Sequence, residues 1–296
     1  MPRPSTSPVA HLPWIMLAIA SLATACVETE GDDDLAETDV IAKQGINSLD
    51  ENAIKFFARE MNALITAALG AEPAIEILAK DPTGLKVLDY SLRCALKSTQ
   101  TVKVKNGAGA IVSLPTKRGI GLAPEWLYRG LDRFEQEWLM GCLLAHINAA
   151  GAAVPISLRG GHGALALSTG EAAAFPYLEG AFYGSFGDLL NPDLAFRTRQ
   201  YACYGPALVA KCGAAAPTVL WKRLCTRGDC NDLTVVGPCE PTQLAPNRAC
   251  TTRTGDYYKE CASRATSGGW PAAGADRYTP AVVTTWLKEV NCNPDP

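Results

Sequence analysis

The stretch FEQEWLMGCLLAHIN, residues 134–148, decides how this chain folds. It is polar only at its start, and from Trp138 to Ile147 every position except His146 is apolar or small. A helix apolar on nearly every side has no face to give to water and belongs in the centre of a fold. Pro124 opens the helical segment and Gly151 ends it. Beyond it, residues 153–158 (AVPISL) read as a strand that enters a Gly-rich loop, RGGHG, at residues 159–163.

Working outward, Ser48-Leu49-Asp50-Glu51 reads as a capping box. Behind it Ile54, Phe57, Ala58, Met61, Ile65 and Ala68 recur at helical spacing up to Gly70. A second helix is expected over residues 83–96, with Leu85, Leu88, Leu92 and Ala95 on one side. The period then changes. Val102 and Val104 alternate with lysines, Asn106-Gly107 supplies a tight turn, and Ile111-Val112 begin a return strand, so a hairpin follows. The expected class is α+β: a helical core with a small antiparallel sheet, followed by a disulfide-rich, loop-rich C-terminal region. The composition shifts near Tyr201, where the cysteines concentrate among Pro, Gly, Thr and Asn, and the next long apolar run is residues 282–287. The expected organisation is a signal peptide at 1–25, a lipidated cysteine and acidic tether at 26–47, an α+β core at 48–200, and a cysteine-rich region packed on it at 201–296.

Residues 14–25 (WIMLAIASLATA) form an apolar or small run of twelve. About 20 apolar residues are needed to span a bilayer, so the run has the length of a signal-peptide core. Two cleavage readings fit. Ala23-Thr24-Ala25 matches an ordinary signal-peptidase site, whereas Leu22-Ala23-Thr24-Ala25-Cys26 resembles a lipobox with its leucine one step further out than usual. Cysteine parity separates them. Eleven cysteines leave one without a partner. Assigning Cys26 to a lipid leaves Cys94, Cys142, Cys203, Cys212, Cys225, Cys230, Cys239, Cys250, Cys261 and Cys292, which can all pair. The simplest connectivity joins Cys94 to Cys142 and places four bridges in the tail, where eight cysteines allow about 105 pairings. Residues 27–39 hold seven carboxylates and no base, so they repel one another and suit a solvated spacer. Val27 after the cysteine, in place of aspartate, points to the outer membrane; the alternative is a soluble secreted protein.

Without leader and tether, 26 of the 27 basic residues face 23 of the 30 acidic ones. That balance is too small and scattered for a nucleic-acid footprint. The stretches at residues 135–160 (EQEWLMGCLLAHINAAGAAVPISLRG), 177–187 (YLEGAFYGSFG), 201–205 (YACYG) and 90–96 (YSLRCAL) are similar to those of a group of myxobacterial cell-envelope lipoproteins with no assigned activity. The resemblance implies export, lipidation and a shared fold, and implies nothing about catalysis.

Catalytic and metal patterns are sparse. There is no C-x-x-C or H-E-x-x-H, so neither a metal site nor a cofactor is expected. Ser185 lacks the glycine two residues before it that a nucleophile elbow needs, and the glycines of RGGHG form no phosphate loop. Cys142 and His146 share a helix face, the spacing of a Cys/His dyad, although a bridged cysteine and a core histidine account for it better. One loose constellation remains: His162 as base, Arg159 holding an anionic group and Glu179 orienting the imidazole, against the plainer reading of an Arg159–Glu179 ion pair. Two functions follow as expectations. The first is a lipid-anchored envelope or surface protein with a binding or structural role toward a protein or glycan partner, with Trp221 and Trp270 as contact points. The other is a secreted hydrolase built around His162.

Overall fold

A computed structural model describes residues 44–53, 65–69, 82–105, 111–116, 118–149, 153–186, 199–226, 230, 233–243, 246–251, 253–266 and 278–293. The leader, Cys26, most of the tether, the centre of the helix read behind Ser48, and Trp270 lie outside them. No helix among the described residues is long and apolar enough to cross a membrane.

The strands run in chain order as β1 (Gln44–Asn47), β2 (Thr101–Lys105), β3 (Ile111–Pro115), β4 (Val154–Arg159), β5 (Tyr177–Ser185), β6 (Arg199–Tyr204), β7 (Leu233–Pro238), β8 (Arg248–Cys250), β9 (Cys261–Thr266), β10 (Tyr278–Thr279) and β11 (Val283–Leu287). The helices are α1 (Pro82–Ala95), α2 (Arg133–Ala145), the single turn α3 (Glu171–Ala174), α4 (Pro206–Cys212) and α5 (Ala216–Leu224). The small sheet expected on a helical core is corrected: a six-stranded sheet in the order β1-β4-β11-β5-β6-β7 is the centre. It is antiparallel except at β6 and β7, which pair in parallel because α4 and α5 form the crossover between them. The tail is more than loops and crosslinks, for it supplies β7 and β11 to this sheet and β10-β9-β8 as a second one. The boundary expected at residue 200 falls inside β6, and Asp39–Pro296 forms one compact unit. The tether expected to reach residue 47 does not include Gln44–Asn47, which pair with β4 as an edge strand. Ser48 and Glu51 direct their side chains to tertiary partners, Ser48 to the Tyr90 hydroxyl at 2.6 Å and Glu51 to the Thr226 amide at 2.7 Å.

Each strand sends alternate side chains to opposite faces. Ile156 and Leu158 of β4, Phe182 of β5, and Val283 and Leu287 of β11 pack with α1, α2 and α5. Leu178, Ala181 and Tyr183 of β5 and Trp286 of β11 pack with Cys250, Tyr258 and Cys261 around the second sheet. The helix read as central is so: Leu139, Met140, Leu143 and Leu144 are fully buried. It approaches β5 closely because Gly141 lacks a Cβ, which would lie 2.8 Å from the Phe182 carbonyl oxygen. Leu85, expected on the buried side of α1, is 44% exposed, while Val87, Ser91 and Cys94 turn inward.

Five disulfides are formed: Cys94–Cys142, Cys203–Cys239, Cys212–Cys292, Cys225–Cys230 and Cys250–Cys261. The bridge between α1 and α2 and the closure of the tail on itself follow the simplest connectivity. Chain-entropy restriction ranks them by loop length, about 2 kcal/mol for Cys225–Cys230 against about 4.5 kcal/mol for Cys212–Cys292.

On the helix face the register of β11 against β5 shifts between Thr285 and Trp286, leaving Glu179 as the extra residue of a bulge. Glu179 accepts a hydrogen bond from Thr285 Oγ1 at 2.8 Å and pairs with Arg223 Nε of α5 at 2.9 Å, with both charged groups buried. Burial pulls the pKa of Arg223 down and the Glu179 carboxylate pushes it back up. Its Nη2 also donates to the Ala145 carbonyl at the C-terminus of α2, 2.6 Å away, where a cation is favoured. Replacing Arg223 with methionine leaves a buried carboxylate without its counter-ion, and urea unfolding with the bridges intact should show a loss of about 3–5 kcal/mol. Adding Glu179→Gln should restore much of that; a double variant no more stable than the single one would remove the pair as the cause.

Candidate functional site: an aromatic trough beside the RGGHG loop

The first turn of α2 is built to present rings. Asp132 caps it, accepting from the Glu135 amide at 2.9 Å while the Glu135 carboxylate accepts from the Asp132 amide at 2.8 Å. Arg129 holds the same carboxylate through two bonds of 2.8 and 2.7 Å. With the start fixed, Phe134 and Trp138 stand one turn apart on the outer face of the helix. Phe134 is 59% exposed. Opposite them the turn Thr254-Gly255-Asp256-Tyr257, closed by reciprocal bonds between Thr254 and Tyr257, brings in the Tyr257 ring. Between lies Gly161, whose missing side chain leaves a Cβ position 3.4 Å from the tyrosine ring. Phe134, Trp138, Gly161, Tyr257, Lys259, Glu260 and Pro280 line an open trough of about 460 Å³. Pro280 is steadied by its neighbour Thr279, whose hydroxyl donates to buried Glu137 at 2.8 Å.

The residues singled out in RGGHG shape this trough from below. Arg159 points to the second-sheet face of β4 and is buried. It donates to Ser157 Oγ and the Phe175 carbonyl, both at 3.0 Å, sits 4.2 Å over the Trp286 ring, and pairs with Asp256 at 3.3 Å. Burial lowers its pKa, while the Asp256 and Glu171 carboxylates raise it again. Trp286 Nε1 donates to the Asp256 carbonyl at 2.8 Å, so β4 and β11 together pin the turn that carries Tyr257. Gly160 lets the Trp138 indole settle against the loop, since a Cβ there would come within 3.0 Å of it. His162 caps the short turn after the loop. Its Nδ1 accepts from the Ala164 amide at 3.1 Å, which places the proton of the neutral ring on Nε2. The ring meets Trp138 edge to face at 5.5 Å, and burial lowers its pKa.

The acid/base constellation of His162, Arg159 and Glu179 is not assembled. Arg159 and Glu179 lie on opposite faces of the central sheet, one bound to Asp256 and the other to Arg223, so neither the ion pair nor the triad forms. Cys142 is bridged to Cys94, which removes the thiolate from the Cys142/His146 spacing. Three clusters of possible metal ligands occur among the described residues: Cys94, Cys142 and His146; Cys203, Cys239 and Cys250; and Glu51, Cys225 and Cys230. Each contains a disulfide, whose sulfurs are not thiolate donors. Trp221 packs against the helix-side core.

Compared with known protein families, curated proteins and solved structures, the chain finds no match in any of the three. The trough therefore has to be read from its own chemistry: three ring surfaces, one cation, one anion and an open top. Sequence reasoning reached only its glycine floor. Phe134 and Trp138 did carry a signal, as two aromatics at i and i+4 on the polar opening of an otherwise apolar helix. Tyr257 carried none, because it arrives through tertiary anchoring of its turn.

His146 has a structural part. It caps the C-terminus of α2, and its Nδ1 donates to the Cys142 carbonyl at 2.8 Å, with both sulfurs of the Cys94–Cys142 bridge 3.8 and 3.9 Å from the same nitrogen. Burial lowers its pKa from 6.5 to about 4, against the carbonyl bond and with help from the Arg223 and Arg93 charges. The unfolded chain binds the proton first as pH falls, so this residue makes the fold lose stability between pH 6.5 and about 4, by about 3 kcal/mol at most, and exacts nothing above that window. Unfolding free energies measured from pH 7 to pH 4 should fall less steeply in His146→Gln than in the parent chain. Equal slopes would mean that the imidazole is not held neutral.

Proposed function

We propose that this chain is an exported, lipid-anchored envelope protein that binds a glycan chain in the trough of Phe134, Trp138 and Tyr257. The observation that carries the reading is the pairing of the exposed Phe134 ring and the half-buried Trp138 and Tyr257 rings with Lys259 and Glu260 in one open groove. A sugar has C–H faces that suit the negative face of an aromatic ring and hydroxyl edges that both donate and accept. Lys259 offers donors and Glu260 acceptors, and rigid rings contribute contact area at little entropic loss. The bridged, loop-bearing second sheet suits an oxidising compartment. Ten cysteines form five bridges, which leaves Cys26 as the one sulfur of eleven without an internal partner and supports its acylation. A hydrolase around His162 has weaker support, since its proposed partners are engaged on other groups.

Phe134→Ala alters an exposed ring and should leave the melting temperature nearly unchanged while weakening binding to purified envelope polysaccharide about tenfold or more by calorimetry. Undiminished affinity, or affinity for soluble peptides alone, would remove the glycan reading. For the anchor, mass spectrometry of the mature protein should find an acylated Cys26 at its amino terminus, and Cys26→Ser should move the protein from the membrane fraction to the soluble one. An intact segment 1–25 on the mature protein would overturn it.

A further inference from the structure

Two of the five bridges lie against each other. Cys203 of β6 is bonded to Cys239, which follows β7, while Cys250 of β8 and Cys261 of β9 are direct cross-strand partners bonded to one another. Cys203 Sγ is 3.4 Å from Cys250 Sγ, and the Cys239 sulfur belongs to the same cluster. All four residues are fully buried. The backbone holds them in place, since the Cys250 amide donates to the Cys239 carbonyl at 3.0 Å and the Cys239 amide to the Tyr204 carbonyl at 2.9 Å. The Cys250–Cys261 bridge also closes the base of the segment that carries Tyr257, Lys259 and Glu260 into the trough.

Thiol–disulfide exchange needs a thiolate beside the sulfur it attacks. Here the sulfur to be attacked is already close, since a thiolate formed at Cys250 by reduction would stand beside the Cys203–Cys239 bond. We propose that Cys203, Cys239, Cys250 and Cys261 are an exchangeable set, in which Cys250 leaves Cys261 for Cys203 and so releases the clamp on the trough segment. When residues 253–260 open locally, an external dithiol reaches the otherwise buried Cys261 and forms a mixed disulfide with it, and the electron pair of the broken bond leaves on Cys250 as thiolate. Cys250 then attacks Cys203, the Cys203–Cys250 bond forms, the Cys203–Cys239 bond breaks, and Cys239 takes up a proton as the free thiol. The second thiol of the reductant resolves the mixed disulfide and frees Cys261. Two electrons pass from the dithiol, which ends as a disulfide, and the protein ends with one bridge, Cys203–Cys250, and thiols at Cys239 and Cys261. The exchange stands on the sulfur geometry alone; its meaning for ligand binding rests on the glycan reading of the trough.

Cys261→Ser and Cys239→Ser each free one sulfur of the set without any reductant. Each variant, held near pH 8.5 where thiolate is plentiful, would be alkylated and mapped by peptide mass spectrometry. The proposal expects a Cys203–Cys250 link in both, with label on Cys239 in Cys261→Ser and on Cys261 in Cys239→Ser. A retained Cys203–Cys239 bridge with label on Cys250 alone in the first variant, and a retained Cys250–Cys261 bridge with label on Cys203 alone in the second, would overturn it. Should either variant fail to fold, the parent chain treated with limiting dithiol decides. Thiols at Cys239 and Cys261, with faster amide exchange over residues 253–260, support the exchange; thiols at Cys250 and Cys261 with Cys203–Cys239 intact refute it. Loss of glycan affinity plays no part in these readouts, so failure of the trough reading leaves them unaffected.

Discussion

The last strand of the chain sits in the middle of its principal sheet. β11 bonds to β4 on one edge and to β5 on the other, and its five residues are all buried. The sheet therefore cannot close until residues 283–287 have returned across the whole fold. Pairings of such long sequence separation are entropically late, so folding should be slow for the size. The Cys212–Cys292 bridge, which spans 80 positions and ties α4 to the end of the chain, restricts the same search. Trp286 in this strand also anchors the Tyr257 turn, so the completion of the sheet and the shaping of the trough are one event.

Charge is buried on both faces of that sheet, and on each face it serves to fix geometry. On the helix side the Glu179 bulge reaches Arg223, which closes off the C-terminus of α2 and lies 4.9 Å over the Phe182 ring. On the other side Arg159 gathers Ser157, the Phe175 carbonyl and Asp256 beneath Trp286. An arginine suits both places because its planar fork can satisfy several acceptors while stacking on a ring. Neither arrangement leaves its carboxylate and cation facing an open cavity together, so neither supplies the acid/base site expected around His162. The trough is lined by rings held in place from behind.

Local segments were legible in the residues. α1, α2, the β2–β3 hairpin and β4 declare themselves through spacing, turn dipeptides and apolar runs, all of which act over a few residues. With Cys26 set aside, the even count of cysteines on each side of residue 200 foretold the Cys94–Cys142 bridge. Less visible was β5, whose glycines and aromatics blur the alternation of a strand that a bulge interrupts. The size of the central sheet was hidden as well, because its strands come from both halves of the chain and β11 reads merely as an isolated apolar run.

By itself the sequence determined an all-round apolar central helix, a leader-like apolar run before Cys26, and an odd count of cysteines that lets at most ten of them pair. It also placed the three glycines and the histidine of the RGGHG loop beside whatever that loop would meet. Only the tertiary structure decided that Arg159 and Glu179 face away from each other, that Tyr257 and Trp138 line one trough with Gly161, and that two bridges lie side by side. The reason is physical: which face a strand residue occupies depends on its register against its neighbours, and here those neighbours lie up to 131 positions away in the chain, as between Ile156 and Leu287. Periodicity records a residue's own segment, and register is a property of two.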